Sequence, residues 1–131
     1  MSVILFIANH DMGLYNFRLE IIEHFLSKGH EVHVSTPYGD RINDLMKLGV
    51  IYHETNMERH GMNIIDEIKL LLNYKKIMKK INPDIVYGFT IKSNIYGALA
   101  ARINGIPFVA NITGLGTAVE TPGIRQKILN L

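Results

Sequence analysis

Five short runs of apolar and β-branched residues, each separated from the next by a stretch of helical periodicity, constrain this chain more than any other feature. The runs are "VILFIA" (3–8), "EVHVST" (31–36), "VIYHE" (50–54), "DIVYGFT" (84–90) and "PFVANIT" (107–113). Alternation of this kind specifies α/β units around a parallel sheet. The first, fourth and fifth runs are nearly continuously apolar, as expected of central strands covered on both faces.

The segments between them have legible ends. Ile21, Ile22, Phe25 and Leu26 recur at helical period, and Gly29 supplies a left-handed cap. A short second helix covers about 40–48 and stops at Gly49. A third covers about 63–81, with Ile64, Ile65, Ile68, Leu71, Leu72 and Met78 as its expected buried side, and Pro83 closes it. A fourth begins with Ser93 or Asn94 as N-cap, carries the small residues of "YGALAAR" and ends at Gly105. Right-handed crossovers then predict an α/β fold, a Rossmann-like doubly wound parallel sheet of about five strands in the order 3-2-1-4-5, with helices on both faces.

Such a sheet has its switch point between the first and fourth strands, and ligands bind outside the carboxyl ends of the strands at that crevice. Two loops are thereby singled out, 10–16 and 90–94, with "TGLGTAVETPG" beside them. A chain of 131 residues fits one domain with a proper core. The net charge of +2 gives no reason to expect a nucleic-acid partner, and the absence of cysteine excludes disulfides, a thiol nucleophile and Cys-based metal sites and fits a reducing compartment. The start "MSVILFIANHD" lacks a basic region and has too short an apolar run for a signal peptide or a membrane span. A cytoplasmic protein is expected.

In the first loop, His10 and Asp11 stand at the end of a strand facing the crevice, where either is placed to act as a general base or to satisfy loop amides. Gly13 is the one glycine there, a turn residue or a close approach to phosphate, and Asn16 completes the loop. Arg18 falls on the centre of the apolar stripe of the first helix and opposes the helix dipole. It therefore needs an anionic partner, either a protein carboxylate or a ligand phosphate or carboxylate. In the second loop, Thr90, Lys92, Ser93 and Asn94 precede or open a helix, where free amides and a lysine favour an anion. Thr113, Gly114 and Gly116 add exposed amides beside the same crevice. Lys75, Lys76, Lys79 and Lys80 complement a helix C-terminus, and with Tyr74, Ile77 and Met78 between them they can also touch an anionic membrane. No histidine has metal-site spacing, and no metal is assigned. A dinucleotide-binding domain is disfavoured, since GxGxxG is missing and residues 34–37 offer no acid for a ribose.

Taken together, "LYNFR" (14–18), "FTIKSNIYG" (89–97) and "NITGLG" (111–116), with "KGHEV" and "PDIV", resemble the N-terminal domain of family 4 glycosyltransferases of the GT-B fold. The likeness extends over essentially the whole chain and is strongest to the bacterial branch that builds capsule, O-antigen and undecaprenyl-diphosphate-linked glycans. The resemblance implies an acceptor-side domain of a retaining enzyme that moves a sugar from a UDP-sugar donor to a lipid-linked saccharide. It implies no bound cofactor, basic residues in place of a metal, and peripheral attachment to the inner face of the cytoplasmic membrane. The nucleotide-sugar half expected C-terminal to such a domain is not in residues 1–131, so this acceptor-side domain is expected to be inactive alone. Many relatives have a histidine at the end of the fourth strand, where "VYGFT" offers Tyr87, Phe89 and Thr90. The competing expectation is a flavodoxin-like, non-catalytic module that binds a phosphorylated small molecule.

Overall fold

The computed structural model describes residues 2–55 and 63–111; His60, Thr113, Gly114 and Gly116 lie outside the described residues. The elements run β1 (Val3–Ile7), α1 (Asp11–Ser27), β2 (Glu31–Thr36), α2 (Ile42–Leu48), β3 (Ile51–Glu54), α3 (Ile64–Ile81), β4 (Ile85–Gly88), α4 (Ile91–Asn104) and β5 (Phe108–Ala110). Among the described residues all four strand pairings are parallel and the order is β3-β2-β1-β4-β5, as the alternation predicts.

Because side chains alternate across a strand, β1 splits its apolar residues between two cores. Ile4 and Phe6 face α1 and α2 with Leu14, Ile22, Val32, Val34 and Leu45. Leu5 and Ile7 face α3 and α4 with Leu70, Tyr74, Met78, Val86 and Ala100. Expectation and structure part over which strands are interior. Among the described residues β5 ends the sheet, and its Val109 is 39% exposed. The polar-looking β2 is interior instead. Its His33 pairs with His53 and Glu31, and Ser35 pairs with Thr55, so these buried polar groups are satisfied by one another.

Two helical faces also differ from the sequence reading. In α1 the deepest residues are Leu14 and Ile22, whereas Ile21 is 40% exposed. In α3 the expected buried side is largely outside: Ile64, Ile65, Ile68 and Leu72 are exposed, and Leu70, Tyr74, Ile77 and Met78 are buried. The stripe that wins is the one that stays apolar along the helix. The face of Ile64, Ile68 and Leu72 continues into Lys75 and Lys79, which a core cannot accept.

The start of α4 lies a turn ahead of expectation. Thr90 is the N-cap, with extended backbone, and Ser93 and Asn94 are inside the first turn. Small residues then bring α4 onto the sheet. A Cβ on Gly97 would run into Ile7 and lie 3.0 Å from Phe108 Cε2, so no larger residue fits without moving β1 or β5.

Candidate functional site at the carboxyl edge of the sheet

The carboxyl ends of β1, β4 and β5 hold four buried side-chain polar atoms that have no hydrogen-bond partner among the described residues. They are Asn9 Oδ1, Thr90 Oγ1, Asn94 Oδ1 and Asn111 Nδ2. Leaving a buried polar atom unpaired costs about 1–3 kcal/mol, so four at the carboxyl edge of the sheet make that edge the candidate site. Asn94 is held by Nδ2 donating to the Asn111 carbonyl at 3.1 Å, and the Asn111 N–H donates to the Gly88 carbonyl at 2.7 Å. A Cβ on Gly88 would collide with the Asn94 amide and with Phe108, so the glycine is what lets α4 start here. Asn9 and Asn111 are not among the residues singled out from the sequence. Their signal is positional: each is a polar amide one or two residues past the carboxyl end of a strand, Asn9 after β1 and Asn111 after β5.

The predicted residues of the first loop belong to α1 itself. His10 caps the helix, its Nδ1 accepting from the Gly13 N–H at 3.0 Å. A nitrogen that accepts carries no proton in the neutral ring, so the proton sits on Nε2. His10 therefore offers an N–H donor rather than a base. Gly13 lies within the first turn of α1, not in a separate turn, and a Cβ there would touch the His10 ring. Asp11 is 5% exposed, and its Oδ2 accepts from the Arg41 N–H at 2.5 Å. Gly39 lies so close against that carboxylate that a Cβ would strike it. Asp11 thus ties the β2–α2 loop to α1, and its charge also suits the first turn of a helix. Asn16 is exposed one turn further along α1.

Arg18 is half-buried on the line between Leu14 and Ile22, as its helical position requires. Its guanidinium lies over the ring of Phe89, 5.3 Å from the centroid, which brings it beside the turn that opens α4. Lys92 lies in the first turn of α4, next to the backbone amides that a helix start leaves unbonded. Ser93 goes elsewhere: it is fully buried, and its hydroxyl pairs with Tyr74 at 3.0 Å between α3 and α4. Burial of that phenol pushes its pKa up.

The crevice thus has two chemical parts. One is cationic, with Arg18, Lys92 and the positive end of α4, and suits a phosphate or diphosphate. The other carries both donors and acceptors in Asn9, Thr90, Asn94 and Asn111. Phosphate oxygens only accept, whereas sugar hydroxyls do both, so the second part matches a sugar. Among the described residues no cluster of His, Cys, Asp or Glu could hold a metal ion.

Comparison with known proteins bears on this arrangement. A family model described as Glycosyl transferase 4-like matches residues 3–129. A curated relative is 27% identical over 125 residues: the N,N'-diacetylbacillosaminyl-diphospho-undecaprenol alpha-1,3-N-acetylgalactosaminyltransferase of Campylobacter jejuni subsp. jejuni serotype O:2. The match covers 95% of this chain and 33% of the relative, so the chain spans about a third of that relative's length. Among solved structures, MurG of Acinetobacter baumannii has a TM-score of 0.69 at 21% identity, covering 86% of this chain and 34% of that one. A glycosyltransferase of Rickettsia africae has a TM-score of 0.66 at 19% identity, covering 92% and 34%. At these identities the two structures establish the fold.

Proposed function

The chain belongs to the glycosyl transferase 4-like family, and on that premise we propose that it is the acceptor-side domain of a retaining glycosyltransferase. The full enzyme moves a sugar from a UDP-sugar to a lipid-linked saccharide at the inner face of the cytoplasmic membrane. The single observation that carries this reading is the crevice with unpaired amide and hydroxyl groups on one side and a cationic helix start on the other. A diphosphate-linked sugar has the matching pair of chemistries. The relative that is named for a diphospho-undecaprenol substrate supports the same acceptor class.

In this reading Asn9, Thr90, Asn94 and Asn111 bind sugar hydroxyls, and Arg18 and Lys92 hold the diphosphate. His10 donates its Nε2–H to an oxygen of the substrate, and Asp11 positions the loop beside it. Thr113, Gly114 and Gly116 belong to the proposed contact set through their backbone amides. Gly13 and Asn16 shape the entrance, and Ser93 supports α4 from behind. The donor half, with its nucleotide site, comes from elsewhere in the enzyme.

Titration calorimetry with a short-chain, water-soluble isoprenyl diphosphate sugar tests the reading. Arg18→Ala is expected to weaken binding about 10- to 100-fold, the loss of one charge-assisted hydrogen-bonding partner, while the circular-dichroism spectrum stays that of the parent. Lys92→Ala is expected to weaken it about tenfold. Unaltered affinity in both variants would remove the diphosphate from this crevice.

A further inference from the structure

The β2–α2 connection, residues 37–41, presents an exposed aromatic ring from a backbone that is held at several points. Asp11, a buried carboxylate, accepts from the Arg41 N–H, and Gly39 lies directly against it. The Arg41 guanidinium rests over the Tyr15 ring, 4.8 Å from its centroid, and its Nη1 donates to Asp44 at 3.1 Å. Beside these anchors Tyr38 is 61% exposed, its ring braced edge-on by Tyr52 with 6.3 Å between centroids. Tyr52 is itself fixed, since its hydroxyl donates to the Thr36 carbonyl at 2.7 Å. Burial pushes the pKa of that phenol up to about 12, so it keeps the proton it donates.

A lone exposed aromatic on a free loop is ordinary. Here a buried acid, a cation–π contact and a hydrogen-bonded phenol all fix the segment that carries it. A ring immobilised before a ligand arrives loses little conformational entropy when one binds, which is how tyrosines serve as recognition surfaces.

Position says which ligand. Ile7 pairs with Ser35 in the register of β1 and β2, so Asn9 and Tyr38 stand two and three residues beyond paired positions at the same edge of the sheet. The order β2-β1-β4-β5 puts Asn111, after β5, three strand spacings from the β2–α2 connection, about 14 Å. Asn9, Thr90, Asn94 and Asn111 account for the two spacings between β1 and β5. One pyranose ring does not reach from Asn111 to Tyr38, whereas two linked rings do. The C–H face of a pyranose suits the negative face of an aromatic ring. Asp40, exposed next to Gly39, adds an acceptor for hydroxyls at the rim.

We propose that the β2–α2 connection is a second sugar subsite, with Tyr38 stacked on the ring of the acceptor that follows the one at Asn9, Thr90, Asn94 and Asn111. The subsite rests on the saccharide-acceptor reading for the kind of ligand and on the braced ring for the place. It makes the domain selective for acceptors of two or more sugars, and Tyr38 the residue that sets this preference.

Titration calorimetry with two water-soluble isoprenyl diphosphates, one carrying N-acetylglucosamine and one its β1,4-linked dimer, tests this. The parent chain is expected to bind the disaccharide form about three- to tenfold more tightly. Tyr38→Ala is expected to abolish that preference, with the monosaccharide affinity and the circular-dichroism spectrum unchanged, and Tyr38→Phe to keep it. Equal affinities in the parent, or a preference that survives Tyr38→Ala, overturn the proposal. Equal weakening of both forms by Tyr38→Ala also overturns it, by assigning the ring to the edge as a whole. Nuclear magnetic resonance of the Tyr38 ring, titrated with the free disaccharide that has no diphosphate, separates the two readings. A ring that shifts when neither diphosphate binds sinks the diphosphate reading and leaves the subsite. An unshifted ring in a chain that binds the monosaccharide diphosphate sinks the subsite alone, and no response to any of the three ligands sinks both.

Discussion

Thr90 condenses the residue-scale case. Its hydroxyl is buried without a partner at the cap of α4, although a threonine there ordinarily accepts from a helix amide. If a sugar hydroxyl is its partner, Thr90→Val removes an unpaired polar atom at constant shape. Urea denaturation is then expected to show unchanged or slightly higher stability, while the variant binds the soluble acceptor about 3- to 10-fold more weakly. A second residue-scale prediction concerns His53. Glu31 accepts from His33 Nε2 at 2.7 Å, so His33 Nδ1 is left to accept from His53 Nε2 at 2.8 Å. Burial, then His33, then Lys80 lower the pKa of His53 below its ordinary 6.5. Between that ordinary value and the lower folded one, the unfolded chain binds a proton that the folded chain does not, so stability falls as pH drops below about 6.5. The urea midpoint is expected to decline across that interval, and His53→Gln to flatten the decline. None of this was legible from spacing, because an unsatisfied atom and a histidine pair are properties of the packed interior.

At the scale of elements, boundaries were legible where a single residue type dictates the backbone. Gly29, Gly49 and Gly105 all adopt positive φ at helix ends, as their placement in the sequence implies. Faces were legible less often. The α3 sequence holds two apolar stripes, and local periodicity cannot say which one the sheet covers; the run of lysines on one of them was the discriminating signal. The role of small residues in α4 was legible and can be tested. Gly97→Ala is expected to cost about 1–3 kcal/mol in urea unfolding through overpacking against Ile7 and Phe108. Substitution at Ala98, a half-buried neighbour on the helix, is the control expected to change little.

For the whole molecule, alternation of five strands with helices was enough to predict the order of the sheet, because right-handed crossovers leave few other ways to arrange it. The same order puts the switch point between β1 and β4, where the candidate site is sought. It was less informative about which residues line that crevice, since Asn9 and Asn111 look like ordinary loop amides until three strands bring them to one edge. The chain spans about a third of the length of its curated relative, and the proposed division of labour has a direct consequence. Mixed with a UDP-sugar and the soluble acceptor, the chain is expected to release no UDP in a coupled assay. With a donor-binding half supplied as a fusion or in trans, release is expected to appear. Release by the chain alone would show that it needs no second half.

The bonds around the crevice sort into two rims. On one side Asp11 pins the start of α1 to the backbone of Arg41, so the β1–α1 and β2–α2 connections form a single stiff lip. On the other, Asn94 and Asn111 lock the start of α4 to the end of β5. Across the seam, Arg18 rests on Phe89, a ring contact that yields far more readily than a hydrogen bond held at fixed angle. The seam itself is closed by the backbone, since the Phe89 N–H donates to the Ile7 carbonyl at 3.1 Å. A ligand at this edge therefore meets two lips whose spacing is set by the pairing of β1 with β4.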